Sequence, residues 1–230
     1  MNKVGFIGVY DKIDLIMNIS KVLTVLGKKI LVIDTTINQK AKYIVPHITP
    51  TQKYITTFEN IDVAIGFNDI NEIKEYIGEN GNLPYDIALI DIDRNETIKK
   101  FDIKNSKKNF FVTAFDTYSL KKGMEIFYGI EERMELTKVL FSRDILKEDD
   151  DYLNFISQGY KTIWNENRIY LPLENGDMCV IFENQRQEKI RLKKLSIQYK
   201  EAIIQIIQEI EKKLSEGNIR KTIKIIEKGV

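Results

Sequence analysis

The chain has 230 residues, 43% of them hydrophobic, and its 35 Lys+Arg against 34 Asp+Glu leave a formal charge of +1. That is enough apolar material for one well-buried core, with no global field to draw the protein to nucleic acid or to an anionic membrane. A single cysteine, Cys179, and a single histidine, His47, exclude a disulfide framework and a zinc site built on several His or Cys, and they fit a reducing, cytoplasmic setting.

In chain order, Val4 to Val9 reads as an apolar strand that runs into the loop around Gly8 to Lys12. A helix-compatible stretch, Lys12 to Leu26, follows, and then the turn Gly27-Lys28-Lys29 and a second strand, Ile30 to Ile33, ending in Asp34. This is a βαβ opening whose first turn faces a ligand at the carboxyl end of the sheet. Further strands are predicted at Asp86 to Asp91, Asn109 to Ala114, Lys138 to Phe141 and Ile169 to Leu171. Helical patterns fall at Asn68 to Gly78, Tyr118 to Arg133 and Asp149 to Ser157, the last with an acidic first turn. Alternation of this kind predicts a doubly wound α/β domain, a mostly parallel sheet with helices on both faces.

From Leu192 the apolar positions Leu195, Tyr199, Ile203, Ile206, Ile207, Ile210 and Leu214 keep helical spacing, which predicts a long amphipathic carboxyl-terminal helix ending near Gly217. Residues 1–217 are expected to form one domain, with 218–230 as a short basic tail. No apolar run approaches the roughly 20 residues of a membrane span, and the amino terminus lacks the apolar core of a signal peptide.

The order of parts resembles the ParA/MinD family of deviant Walker ATPases, with a P-loop NTPase-like fold, over most of the chain. That family's loop reads GKGGxGK[ST], followed by a helix, an L-G-K-K turn and a strand ending in D-x-D. Counting back from Leu26-Gly27-Lys28-Lys29 through Asn18 fixes the register without gaps. Gly8 and Lys12 then match. The family's signature lysine, which reaches a partner's nucleotide across a dimer, falls on Ile7; two loop glycines become Val9 and Asp11, and the Mg²⁺-binding hydroxyl becomes Ile13. A valine there hinders approach of phosphate to backbone N–H groups, and an aspartate repels it.

Further departures agree. The D-x-D is Asp34-Thr35-Thr36, so the second carboxylate is missing, and the adenine-reading asparagine falls on Ser142. Tyr85 to Asp91 preserves the Walker B strand, but Asp91-Ile92-Asp93-Arg94 replaces its usual continuation. Leu171-Pro172-Leu173-Glu174 keeps a later proline motif. The resemblance therefore implies a pseudo-ATPase: Gly8, Lys12, Asp34 and Asp91 as vestigial nucleotide-site positions, no catalytic residue, no metal and no cofactor, with loss of each electrostatic donor costing about 3 to 4 kcal/mol of barrier.

By analogy with atypical members, the expected role is a binding, positioning or assembly factor for pilus, secretion or partition machinery. Protein partners are expected, with a homodimer, if formed, independent of ATP. A weak ATPase holding ATP and Mg²⁺ through Lys12 is the alternative, and a receiver-like regulatory domain using Asp91 and Asp34 is a further one. Neither nucleic acid nor a membrane docked by the tail Ile219 to Val230 is expected, since the basic clusters Lys104 to Lys108 and Arg191 to Lys194 are small and the tail lacks Trp, Phe or Leu anchors. The run Glu148 to Asp151 reads as a helix cap rather than a cation site, Trp164 with Tyr160 as core, and Cys179, in the apolar strand-like stretch Met178 to Phe182, as a buried small hydrophobe.

Overall fold

The computed structural model of the protein describes residues 1–46, 52–79, 81–142 and 147–229, with side chains in α5 from Asp150 onward. His47 lies outside the described residues. Element order is β1 (Asn2–Ile7), α1 (Ile13–Val25), β2 (Ile30–Asp34), β3 (Tyr54–Phe58), β4 (Ile61–Ile65), α2 (Ile70–Ile77), β5 (Ile87–Ile92), α3 (Asn95–Lys100) and β6 (Lys108–Ala114). Then come α4 (Thr117–Glu125), β7 (Met134–Ser142), α5 (Lys147–Ile156), β8 (Thr162–Pro172), α6 (Asn175–Arg186), α7 (Ile197–Ile210) and α8 (Glu216–Glu227).

The strands form one eight-stranded sheet in the order β3-β4-β2-β5-β1-β6-β7-β8. All pairs are parallel except the β3–β4 hairpin. Its two-residue turn, Glu59-Asn60, has positive φ at both positions (52° and 64°), the conformation that matches strand twist and suits asparagine. Central strands are buried on both faces, so they read as continuous apolar runs rather than alternating ones. One core lies under α1, α6, α7 and α8, with Val4, Phe6, Ile16, Val32, Ile203 and Ile219; the other lies under α2 to α5, with Ile7, Ile33, Ile73, Ile98, Phe111 and Leu153. β8 slips by two residues against β7 between Leu136 and Lys138, and its stretch from Glu166 to Arg168 is exposed.

Several elements differ from their sequence patterns: β3 and β4 are additional strands, and α4 ends at Glu125, short of the expected Arg133. The amphipathic carboxyl-terminal helix is α7 and is shorter than its pattern, because Ser196 caps its start by accepting from the Tyr199 N–H, and Ser215 caps a separate α8 by accepting from the Asn218 N–H. α8 packs on α1 and α7 through buried Ile219, Ile223 and Ile226. The expected strand-like stretch Met178 to Phe182 is instead part of helix α6, and Cys179 is exposed on it rather than buried. α6 turns Val180 and Ile181 into the core and leaves Cys179 and Phe182 outward, the outcome of helical rather than alternating period.

Candidate functional site

The site lies where β1, β2 and β5 end side by side, with Asp34 directly opposite Asp91 in the parallel register. β1 turns into α1 through Gly8, whose N–H donates to the Ile92 carbonyl (2.9 Å). Gly8 has φ 149°, and a Cβ there would stand 2.0 Å from the Val112 carbonyl oxygen of β6. Only glycine fits this crossing.

Lys12, the residue before α1, is 3% exposed. Its Nζ donates to the Gly8 carbonyl (2.6 Å) and lies 2.6 Å from Asp91 Oδ1. Asp91 is itself buried; desolvation pushes its carboxyl up to about 7, with Lys12 pulling it back and Asp34 adding to the rise. The neighbouring carboxylates are similarly engaged. Asp11 Oδ1 accepts from the Ile13 N–H (3.4 Å) at the positive end of α1, and Asp11 Oδ2 accepts from Lys40 Nζ (2.6 Å). A side-chain anion thus sits at the helix terminus, the place that suits a phosphate.

Asp34 accepts three bonds, from the Thr36 N–H (3.0 Å), Thr36 Oγ1 (2.6 Å) and the Ala41 N–H (2.9 Å), and so clasps the segment after β2. Thr35 Oγ1 donates to the Asp91 carbonyl (2.5 Å), and Arg94 Nη2 to the Thr35 carbonyl (2.6 Å). Asp93 Oδ2 accepts from the Ile37 N–H (2.9 Å), and burial raises its carboxyl above the ordinary range. What remains open between Tyr10, Lys12, Asn38 and Asp93 is a cavity of about 70 Å³.

The structure brings the four sequence-chosen positions, Gly8, Lys12, Asp34 and Asp91, to one point. Ile7 and Ile13 are core side chains, 0% and 1% exposed. Ser142 ends β7, where its carbonyl accepts from the Leu173 N–H. Lys40 and Arg94, which hold Asp11 and the Thr35 carbonyl, escaped sequence reading: Lys40 lies 29 positions from Asp11 with no local pattern to mark it. Among the described residues no group of three or more His, Cys, Asp or Glu could hold a metal ion, and no helix is long and apolar enough to cross a membrane.

Elsewhere, the acidic run contributes Asp150, which is buried against Lys138 Nζ (2.6 Å) and Arg168 Nη1 (3.0 Å). Trp164 packs in the second core, its indole N–H donating to Ser157 Oγ (2.9 Å).

A strand-to-helix turn around Gly8 and Lys12, beside an aspartate-ended strand in a doubly wound sheet, places the chain in the P-loop NTPase fold class. Neither a protein-family model nor a curated protein matches it. Solved structures do: the septum site-determining protein MinD of Pyrococcus horikoshii OT3, complexed with Mg-ADP, is 17% identical over 91% of this chain and 95% of that one, with a TM-score of 0.57. The MinC:MinD cell division protein complex of Aquifex aeolicus gives 17% identity, 97% and 93% coverage and a TM-score of 0.51. A ParA family ATPase from Chlorobium tepidum TLS gives 12%, 96%, 95% and 0.53. The chain has the fold of the MinD and ParA ATPases.

Proposed function

We propose that this protein is a non-hydrolysing relative of the MinD and ParA ATPases that works as a cytoplasmic binding or positioning module. The observation that carries the reading is the buried contact between Lys12 and Asp91. In a working phosphate loop that lysine stabilises phosphate oxygens; here its charge is spent on a carboxylate inside the protein, and a second carboxylate, Asp11, accepts from the Ile13 N–H at the start of α1.

The residues present do not fit a Mg-nucleotide. A ligand of that size needs a pocket of at least about 300 Å³, and the cavity at the loop holds about 70 Å³. Ile13 supplies no oxygen for Mg²⁺, and Asp11, Asp91 and Asp93 line the cavity with acid groups whose ionised forms repel a triphosphate. Gly8, Lys12, Asp34 and Asp91 are then structural remnants of a nucleotide site.

Partners recognise the protein's surface rather than a nucleotide state. A relative of this fold is found in complex with MinC, which supports a protein partner. A homodimer, if formed, does not depend on ATP, because the buried Ile7 stands where a lysine would cross to the other copy. The tail contributes no membrane anchor, since α8 spends its apolar side on α1 and α7.

Calorimetric titration of Mg-ATP into wild-type protein tests this. No heat of binding that Lys12→Ala removes is expected at millimolar nucleotide. Micromolar affinity that Lys12→Ala abolishes would overturn it.

A further inference from the structure

An opening larger than the one at the loop lies at the other end of the sheet. A cavity of about 770 Å³ is bounded by the starts of β1, β5, β6 and β7 and by the residues that follow α1 and α7. That is the size class of small-ligand sites, which run from about 300 to 1,000 Å³. Seven cationic side chains face it against four carboxylates.

Four of the seven are already held. Lys107 pairs with Glu211, Lys108 with Glu209 (2.5 Å) and Lys104 with Glu132, while Lys28 lies 3.9 Å from Glu211. The other three, Arg133, Lys212 and Lys213, have no ion-pair partner among the described residues. The Ser106 hydroxyl lines the same cavity, buried and without a hydrogen-bond partner.

The helix dipole favours lysines after helix carboxyl ends, which bears on the positions of Lys28, Lys212 and Lys213 without giving the ammonium groups of Lys212 and Lys213 an ion-pair partner. It does not account for Arg133, Lys107 and Lys108, which lead into β7 and β6 rather than closing a helix. Two glutamates that lock two of these lysines in place while three cations stay open make a preorganised anion receptor, with part of the ordering cost already met by the fold. No aromatic side chain lines it, so nothing is there to stack a base.

We propose that this rear cavity binds a small molecule with closely spaced phosphates, read by charge through Arg133, Lys212 and Lys213. The proposal is independent of the front loop and stands or falls apart from the reading of Lys12.

Titration of inorganic tripolyphosphate at low salt without Mg²⁺ is the test, with ATP, orthophosphate and a 20-base-pair duplex as further arms. Tripolyphosphate and ATP should bind alike, and orthophosphate more weakly. The triple variant Arg133→Gln/Lys212→Gln/Lys213→Gln should weaken tripolyphosphate by about tenfold or more, the sum of three partly exposed charge contacts. A variant with the same charge change on α8, Lys221→Gln/Lys224→Gln/Lys228→Gln, should stay within about twofold. Absence of tripolyphosphate binding overturns the proposal, as does equal loss in both triple variants, which would mean a global charge effect. Binding lost only in Lys12→Ala would overturn it in favour of the front loop. A duplex that binds more tightly than tripolyphosphate through the same three residues would make the surface a nucleic-acid face instead.

Discussion

Replacing Lys12 by methionine keeps most of the side-chain volume and deletes the charge, so it isolates the contact with Asp91. Wild-type Asp91 titrates near pH 7 because burial raises it and Lys12 only partly offsets the rise. A carboxyl raised in this way contributes stability that is fully present below its unfolded value of 3.8 and is lost as pH rises through 7. Without Lys12, burial acts unopposed and the carboxyl rises further, so the two proteins diverge in the range where the wild-type pair is charged on both sides. At pH 8 the variant should be less stable by about 3 to 5 kcal/mol, the cost of leaving one member of a buried pair alone. By pH 5, where Asp91 is protonated in both proteins, the difference should shrink to about 1 to 2 kcal/mol, chiefly the lost hydrogen bond to the Gly8 carbonyl. The double variant Lys12→Met/Asp91→Asn removes both charges and should recover about 2 to 3 kcal/mol of the pH 8 loss. Urea denaturation of the four proteins of the cycle at the two pH values supplies every number. A cost below about 1 kcal/mol at pH 8, or losses that add without recovery, would refute the view that this lysine is a structural ion rather than a vacant phosphate ligand.

Asp14 gives a second pH signature. Burial pushes its carboxyl up to about 6, with the Gln185 hydrogen bond pulling the other way, so its contribution to stability is lost as pH rises from 3.8 through 6. Asp14→Asn should therefore gain up to about 3 kcal/mol over wild type at pH 7 and little at pH 4, read from melts at both. Gly8→Ala should cost at least about 3 kcal/mol or abolish soluble expression, because its Cβ meets the Val112 carbonyl at 2.0 Å and the backbone is held at φ 149°; a variant that melts with wild type contradicts the crossing described for β1 and β6. Ending the chain at Gly217 exposes the surface that Ile219, Ile223 and Ile226 cover, about 1.5 to 3 kcal/mol for each side chain. The shortened protein should melt well below the full chain, and full-length protein should not sediment with liposomes; unchanged melting with lost sedimentation would instead make α8 a membrane element.

Much of this was written locally. The strand, turn and helix from β1 to β2 are signalled by an apolar run, a glycine-bearing turn and Leu26-Gly27-Lys28-Lys29, and they form within a few residues of those signals. Gly8, Lys12, Asp34 and Asp91 could be picked out through the register that the ParA/MinD resemblance fixes. What Lys12 touches could not, since it depends on β5 entering the sheet beside β1, a pairing between segments some eighty positions apart. The β3–β4 hairpin is signalled only by Thr56, Thr57 and Asn60, and the five-residue apolar run Met178 to Phe182 does not distinguish strand from helix.

The two edges of the sheet constrain how this protein can associate. β3 presents only five residues, and β8 is broken by its slipped register and carries Glu166, Asn167 and Arg168 outward. Short, kinked, charged borders do not template a further strand. Copies of this chain, and partners that bring an extended segment, are turned away from lengthening the sheet. Assembly is left to the helical flanks and loop ends, where contacts are made by side chains and can be specific to one partner.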